Sequence, residues 1–441
     1  MTVDLLVIGG GMAGLTAGAL VAANGGRVTL VERAPDLGGS ARFAGFLHTA
    51  TSSEDLHAAD PAGSEVLQRL VVSGYPAAVE WIESLGVRMG TEVKVLQLTR
   101  GRQFDTNAYL EACADLIRSS GEILLSATTE SLIVDGDEVE GAVVVTGEDA
   151  VRRVPAGSTL LASGGFQAAS DLLTALIHAN AAGMQLRSNP WSDGAGLRLG
   201  RSAGARVSGE GGRFYGHLVP TGVTLEDPSQ FLTLSFYHSE HGVLFNTAGR
   251  RFVDETIGDH GNAVATLEQP EGRALLVTDE RVRHQWELAS YVEGLPPSPD
   301  KFAAAFKRGA RCATADSVEE FVHLPPDWGY DGVAIAEGLQ EFNSSVPARV
   351  DPPRSHDASP LVDPPYYVVD LSPAITFTYR GLEVDGECRV LDAHDRPISG
   401  LLAAGADAGG IVTREYAGGL ATACATAMRA ARTALANAAP A

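Results

Sequence analysis

Gly9, Gly11 and Gly14 follow a G-x-G-x-x-G spacing within Gly9-Gly10-Gly11-Met12-Ala13-Gly14. This spacing handles phosphate through backbone rather than through side chains. Gly9 permits a tight turn, Gly11 lets a pyrophosphate approach, and Gly14 lets a helix pack closely on a strand. The helix start offers open N–H groups and a positive dipole end to the phosphates, with Met12 and Ala13 just before it as candidate contacts. Glu32 stands where a carboxylate accepts both ribose hydroxyls of an adenosine. Elements of matching type must position these residues. Val3–Ile8 is an apolar run of buried-strand length, Leu15–Ala23 an Ala-rich helix closed by Asn24-Gly25-Gly26, and Arg27–Val31 a second strand. Strand, glycine motif, helix, strand and acid in that order predict a parallel α/β dinucleotide-binding unit.

Further stretches suit contact with the same ligand. Arg33 follows the acid, and Gly38-Gly39-Ser40 is a small turn able to lie against it. Ser158–Ala162 reads as a buried strand ending in Ser163-Gly164-Gly165-Phe166, where paired glycines again admit a ligand to the backbone. Asp193 is placed as the N-cap of a helix running to about Ala203. Leu401–Asp407, including Gly405, is the last strand-to-loop unit, and Gly418-Gly419 opens a long Ala-rich helix to about Asn437. His48 either faces the ligand or caps its loop. Residues 213–217 and 235–241 concentrate aromatic and titratable types, with no histidine pair in the context of a metal site.

Composition limits the functional class. At 441 residues the chain suits about two domains, and its 45% hydrophobic content can bury a large core. A net charge of −22 argues against nucleic acid and anionic membrane as partners. Four scattered cysteines without C-x-x-C predict free thiols in a reducing compartment. No apolar run reaches the length of a membrane span, and a strand beginning at Val3 leaves no room for a leader, so the cytoplasm is expected.

Between these blocks, Pro61–Gly86 reads as helical with a break near Gly74, and Thr106–Ser119 as a helix capped by Asp105 or Thr106. Residues 122–162 change to strand period. Strands at 123–125, 129–134, 139–146 and 152–154 turn at Asp135-Gly136-Asp137 and Gly147-Glu148-Asp149, a meander within the parallel sheet. Residues 260–350 read as mixed and mostly helical, with a Pro-rich linker over 347–365, and strands resume at 366–371, 375–378 and 388–391.

With these blocks in view, the chain resembles the flavin subunits of the fumarate reductase and succinate dehydrogenase family over nearly its whole length. Four blocks carry the likeness: Val7–Gly14 with Glu32; Leu160–Phe166; Asn246-x-x-Gly249-Arg250-Arg251-Phe252 with Asp254-Glu255; and Leu402–Gly410 with Tyr416–Leu420. Ile375–Asp385 and Tyr416-Ala417-Gly418-Gly419 resemble the tricarballylate dehydrogenase-like branch, and ketosteroid dehydrogenases are a more distant match. The resemblance implies non-covalently bound FAD, hydride transfer at flavin N5, and a Rossmann-like FAD-binding domain of glutathione-reductase type with an inserted α+β capping domain. The FAD-binding domain would comprise 1–217 and 352–441, the cap 218–351, with substrate between them. Asp407 would stand near the ribityl chain in place of the family's Glu. Gly419, Leu420 and Ala421 would aim N–H groups at the flavin ring.

Departures from the family pattern narrow the chemistry. After Arg251-Phe252 the chain reads Glu255-Thr256-Ile257-Gly258-Asp259, without the proton-donating Arg of fumarate reductases; Phe377 and Tyr416 replace a His and an Arg. His217 alone matches a substrate-binding His. A dicarboxylate needs several cationic anchors, so fumarate and succinate are not the expected substrates. The expected reaction is dehydrogenation of a C–C bond α,β to a ketone or carboxylate, on a small substrate such as a cyclic ketone or polycarboxylate. Tyr416 would polarise the carbonyl, as a Tyr of ketosteroid dehydrogenases does. The base is drawn from Tyr237, His238, His217 and Tyr215, with Arg213, Arg380 or Arg414 as charged neighbours. Arg380 and Arg414 are also the remaining carboxylate anchors. The reverse ene-reductase reaction and a non-redox flavin-binding role are the alternatives; the electron acceptor is not encoded in any motif.

Overall fold

The computed structural model describes residues 2–147, 150–208, 211–290, 292, 295–345 and 350–438. The turn expected at Gly147-Glu148-Asp149 and the start of the 347–365 linker fall partly outside them. The chain divides into two compact units. The first comprises Met1–Leu172, Ser188–Phe214 and Phe377–Ala441; the second comprises Leu173–Arg187 and Tyr215–Thr376.

The first unit is built on a mixed eight-stranded sheet. Its strands are β1 (Val3–Ile8), β2 (Val28–Val31), β6 (Glu122–Leu124), β7 (Thr128–Asp135), β8 (Glu138–Thr146), β9 (Ala150–Leu161), β16 (Arg389–Leu391) and β17 (Pro397–Ala403). They run β16-β17-β8-β9-β1-β2-β6, with β7 on β8. β1 lies parallel to both β2 and β9, with Val7 opposite Leu30 and Leu160. Leu5, Leu6 and Val7 are fully buried, as a strand covered on both faces requires. A separate three-stranded sheet joins β3 (Phe46–Ala50), β4 (Val93–Lys94) and β5 (Thr99–Gln103).

Helices α1 (Met12–Ala23), α2 (Glu65–Ser84), α3 (Thr106–Ser120), α4 (Ala195–Ser202) and α5 (Gly419–Ala438) complete this unit. Asp105 caps α3 by accepting from the Ala108 N–H at 3.0 Å. Two expectations are corrected here. Gly74 does not break α2, because its missing Cβ is used for packing: a Cβ there would lie 3.1 Å from Ala425 of α5. Asp193 does not cap α4, which starts from Gly194 at φ +87°.

The strands expected at 152–154 and 158–162 are one continuous strand. β9 pairs antiparallel with β8 through its first half and parallel with β1 through its second, so Pro155 and Gly157 fall near the change of partner.

The second unit carries a six-stranded sheet of β10 (Gln185–Leu186), β11 (Phe214–Pro220), β12 (Val243–Phe245), β13 (Ala274–Thr278), β14 (Cys312–Ala315) and β15 (Tyr366–Thr378). β15 is again one strand where two were expected. Pro373 sits between its pairing with β13, which ends at Leu371, and its pairing with β10, which starts at Ala374. Residues 260–350 are less helical than expected, since they supply β13 and β14 to this sheet. The core packs Phe245, Leu275, Val277, Phe321, Ile335, Leu339 and Phe342. This unit extends to Thr376, with β15 hydrogen-bonded within it.

Candidate functional site

The first unit brings together the residues expected to hold a dinucleotide. Gly9 adopts φ +111° so that β1 can turn into α1, and a Cβ at Gly14 would lie 1.9 Å from the Gly9 carbonyl. Only glycine fits either position. A Cβ at Gly11 would meet one atom, the Gly38 carbonyl at 3.9 Å, so the backbone face above the α1 start is open. Gly11 caps α1 without any side-chain bond. The first N–H groups of the helix, from Met12 and Ala13 onward, therefore have no partner within it. Gly38 leans across this opening, its N–H donating to the Gly10 carbonyl at 2.8 Å. Gly39 and Ser40 follow, with Ser40 Oγ 2.7 Å from Ser188 Oγ.

Glu32 is buried with both carboxylate oxygens fixed, one accepting from the Gly10 N–H at 2.6 Å and the other from the Ala34 N–H at 2.7 Å. Each oxygen keeps a further lone pair for a hydroxyl donor. Arg33 pairs with Asp193 at 2.7 Å and donates to the Trp191 carbonyl, lying over the Trp191 ring. The two side chains thus brace each other, tying the end of β2 to the loop before α4.

Asp407, expected beside a ribityl chain, faces the backbone that ends β9. It accepts from the Ser163 N–H, from Ser163 Oγ at 3.2 Å and from the Gly165 N–H at 3.2 Å. Burial raises its pKa against the pull of these bonds. The carboxylate thereby sets the course of Ala162, Ser163 and Gly164. Gly405, at φ +64°, would bring a Cβ within 3.0 Å of Ala13, which packs this loop against the α1 start.

At the start of α5, Gly418 adopts φ +88°, and a Cβ there would lie 1.8 Å from the His48 carbonyl. The Gly419 N–H donates to Tyr416 Oη at 3.1 Å. Leu420 and Ala421 follow in the first turn, where N–H groups lack helical acceptors. Tyr416 stands edge-on to His48, ring centroids 5.2 Å apart. His48 Nδ1 lies 3.1 Å from Thr99 Oγ1, and burial pushes its pKa down to about 4.

The loop carrying Tyr416 is clamped by Asp60, a fully buried carboxylate. Asp60 accepts from the Thr413 N–H at 2.6 Å, Thr413 Oγ1 at 2.6 Å, the Arg414 N–H at 2.8 Å and the Glu415 N–H at 3.1 Å. Arg414, expected as a carboxylate anchor, is exposed and donates to the Ala59 carbonyl through Nε at 3.0 Å and Nη2 at 2.7 Å. It belongs to the same clamp. Arg380 is half-buried, its stem packed where Gly212 lacks a Cβ. Arg213 joins the loop through its backbone, its N–H donating to the Thr413 carbonyl at 2.9 Å.

The second unit gathers the other titratable residues. Tyr237 is buried and its Oη accepts from Arg187 Nη2 at 2.7 Å. The His217 ring meets Tyr237 and Tyr215 edge-on, centroids 4.8 Å away in each case. His217 Nδ1 is bonded to Asp259, yet burial lowers its pKa to about 4 against that carboxylate's pull. His238 turns away from this group: its Nε2 lies 4.0 Å from Glu287, and burial holds its pKa well below the usual value.

Sequence reasoning missed Asp60, Arg187 and Asp259. Arg187 belongs to no motif and is separated from Tyr237 by fifty positions. Asp259 drew notice only as part of a stretch lacking Arg. A lone buried carboxylate such as Asp60 leaves no sequence signal. Among the described residues no His, Cys, Asp and Glu group is arranged to hold a metal, and no helix is long and apolar enough to cross a membrane.

A family model described as FAD binding domain matches residues 4–422. A NADH:fumarate oxidoreductase of Klebsiella pneumoniae (strain 342) is 24% identical over 95% of this chain and 46% of that protein, so the chain spans about half of that relative's length. A fumarate reductase (cytochrome) of Shewanella frigidimarina is 25% identical over 95% of this chain and 74% of that protein. Among solved structures, a 3-ketosteroid delta1-dehydrogenase from Sterolibacterium denitrificans in complex with 1,4-androstadiene-3,17-dione superposes with a TM-score of 0.78. It covers 99% of each chain at 17% identity.

Proposed function

This chain belongs to the FAD binding domain family, and from that membership we propose that it is a FAD-dependent oxidoreductase dehydrogenating a C–C bond α,β to a ketone or carboxylate. The cradle fits the cofactor: open backbone above Gly11, uncapped N–H groups at the α1 start and a fixed Glu32 carboxylate. Gly9, Gly11, Met12, Ala13 and Gly14 would hold the pyrophosphate and Glu32 the adenosine ribose. Gly419, Leu420 and Ala421 would face the ring. Bound FAD would supply the hydride acceptor.

The observation that carries the reaction class is the Tyr416–Gly419 pair. A phenol that accepts a backbone N–H is polarised and donates its own proton more strongly. Tyr416 would hold a substrate carbonyl oxygen, stabilising the charge that develops there when the α-proton is removed. The proton acceptor is drawn from Tyr237, His238, His217 and Tyr215. Small cyclic ketones and polycarboxylates are the substrate class, and the four buried free cysteines suit the reducing cytoplasm.

The reverse reaction, reduction of an alkene, is the second reading. It is favoured by the activities for which the fumarate reductase relatives are named. The absence of Arg from Glu255-Thr256-Ile257-Gly258-Asp259 weighs against it. Anaerobic mixing separates the two: bleaching of the yellow protein by a saturated ketone or acid supports dehydrogenation. Reoxidation of pre-reduced protein by an alkene, without bleaching by any saturated compound, supports the reverse. Tyr416→Phe should slow bleaching roughly 100-fold while FAD content is unchanged. An unaltered rate removes Tyr416 from the mechanism.

A further inference from the structure

Arg187 is a buried cation of the second unit, 9% exposed, and no carboxylate among the described residues forms an ion pair with it. Neutral acceptors alone hold its guanidinium. Nε donates to Ser235 Oγ at 2.9 Å and to the Phe231 carbonyl at 3.2 Å, Nη1 to Thr376 Oγ1 at 3.2 Å, and Nη2 to Tyr237 Oη at 2.7 Å. The Phe231 ring packs against it, 5.5 Å from centroid to Cζ. All four of these residues belong to the second unit. Each terminal nitrogen carries a pair of N–H groups, so one on Nη1 and one on Nη2 remain beyond these bonds. A fixed guanidinium with an N–H to give from each terminal nitrogen suits a carboxylate, which takes two such bonds at once.

The protein offers this cation no counter-charge of its own. Burial raises the Tyr237 pKa, and Asp259 adds to that against the pull of Arg187, so the phenol stays neutral. Asp259 is bonded to His217 Nδ1. Glu287 accepts from the Phe302 N–H at 2.7 Å and from Arg283 Nη1 at 3.3 Å. Lys301 Nζ, 5.5 Å from the Tyr237 ring centroid, places a second cation on the far side of the same phenol. A charge taken out of water at this depth is stabilised by an opposite charge brought against it.

We infer that the second unit carries a binding site for the carboxylate of a small organic acid, centred on Arg187. Ser235, Thr376 and Tyr237 hold the guanidinium in place, and the acid supplies the missing negative charge. The site needs neither the flavin nor Tyr416, so it stands or falls apart from the dehydrogenase reading above. Arg414, the anchor expected from sequence, is spent on the Ala59 carbonyl, whereas Arg187 keeps donors to give.

The test is calorimetric titration of the full FAD-loaded chain with cyclohexanecarboxylate and with cyclohexanecarboxamide, a probe of the same shape without the charge. Wild type should bind the carboxylate roughly tenfold or more tighter than the amide. Arg187→Gln should abolish that preference. Arg187→Lys should keep part of it, since an ammonium retains the charge and loses the planar fork. Arg308→Gln, which removes an exposed cation elsewhere on the same unit, should leave it intact. A wild type that shows no preference overturns the proposal, as does a preference that survives Arg187→Gln. If Arg187→Gln does not fold, Arg187→Lys carries the test, and a preference equal to wild type there counts against the site. Flavin bleaching separates the two sources of the carboxylate. If it belongs to the substrate, cyclohexanecarboxylate competes with a bleaching acid, and Arg187→Lys raises KM with kcat retained. If it belongs to a separate effector, the probe binds without competing. Should no compound bleach the flavin, the dehydrogenase reading falls, while the calorimetry still decides for or against the Arg187 site.

Discussion

Burial sets the charge state of His48, His217 and His238. His48 is 5% exposed, and its pKa drops from 6.5 to about 4 by desolvation alone. The unfolded chain therefore takes up a proton at this residue before the folded chain does. Stability from this site is complete above pH 6.5 and falls as pH drops toward 4, after which both states are protonated. The shift corresponds to about 3 kcal/mol. Denaturant unfolding across that pH range should show the acid slope, and His48→Gln should flatten it by roughly this amount. An unchanged slope would refute the burial account. Glu32 permits a second prediction. Glu32→Ala releases the Gly10 and Ala34 N–H groups and removes the ribose acceptor, so FAD retention on dialysis should weaken by roughly 10- to 100-fold.

Loops, more than helices, determine how the reactive groups are held. The segment bearing Tyr416 has no regular structure, and its geometry comes from three consecutive N–H groups converging on Asp60. Asp60→Ala leaves those donors buried without an acceptor. The expected loss is about 3 kcal/mol of stability, together with slower bleaching at unaltered FAD content. Asp60→Asn keeps one acceptor oxygen and should lose less. Equal loss in both variants would mean that charge alone matters; no loss in either would dismiss the clamp. Gly14 makes the matching case for a helix. The Cβ of Gly14→Ala would press on the Gly9 carbonyl at 1.9 Å, so α1 must shift off β1, and colourless protein is the expected product.

For the whole molecule, the first unit is assembled from three separated stretches of chain, and the candidate cofactor-binding residues come from all three. A ligand bound to the folded form raises stability by an amount that grows with the logarithm of its concentration. Stripping FAD should therefore lower the unfolding midpoint, with added FAD restoring it in a dose-dependent manner. Limited proteolysis should then cleave the first unit sooner than in the holoprotein. A midpoint indifferent to FAD would contradict the cradle. The net charge of −22 adds self-repulsion that salt screens, so the apo form should gain stability as ionic strength rises.

The glycine motif, the strand-helix-strand unit and Glu32 were legible in the chain because local geometry dictates residue type there. A positive φ at Gly9 and a 1.9 Å approach at Gly14 exclude side chains wherever the rest of the protein lies. Short-range order also narrowed the α3 cap to Asp105 or Thr106, of which Asp105 serves. What remained hidden were pairings across the chain. Pro373 and Pro155 signal breaks locally, yet β15 and β9 run through them because the neighbouring strand changes there. Arg414 reads as an anchor until its guanidinium is found on the Ala59 carbonyl, and Arg187 reads as nothing until it meets Tyr237. Sequence alone determined the cofactor class, since dinucleotide binding is a property of one contiguous turn. Only the tertiary structure decided which cation faces which phenol, because a buried charge takes its partners from whatever the fold brings within hydrogen-bonding distance.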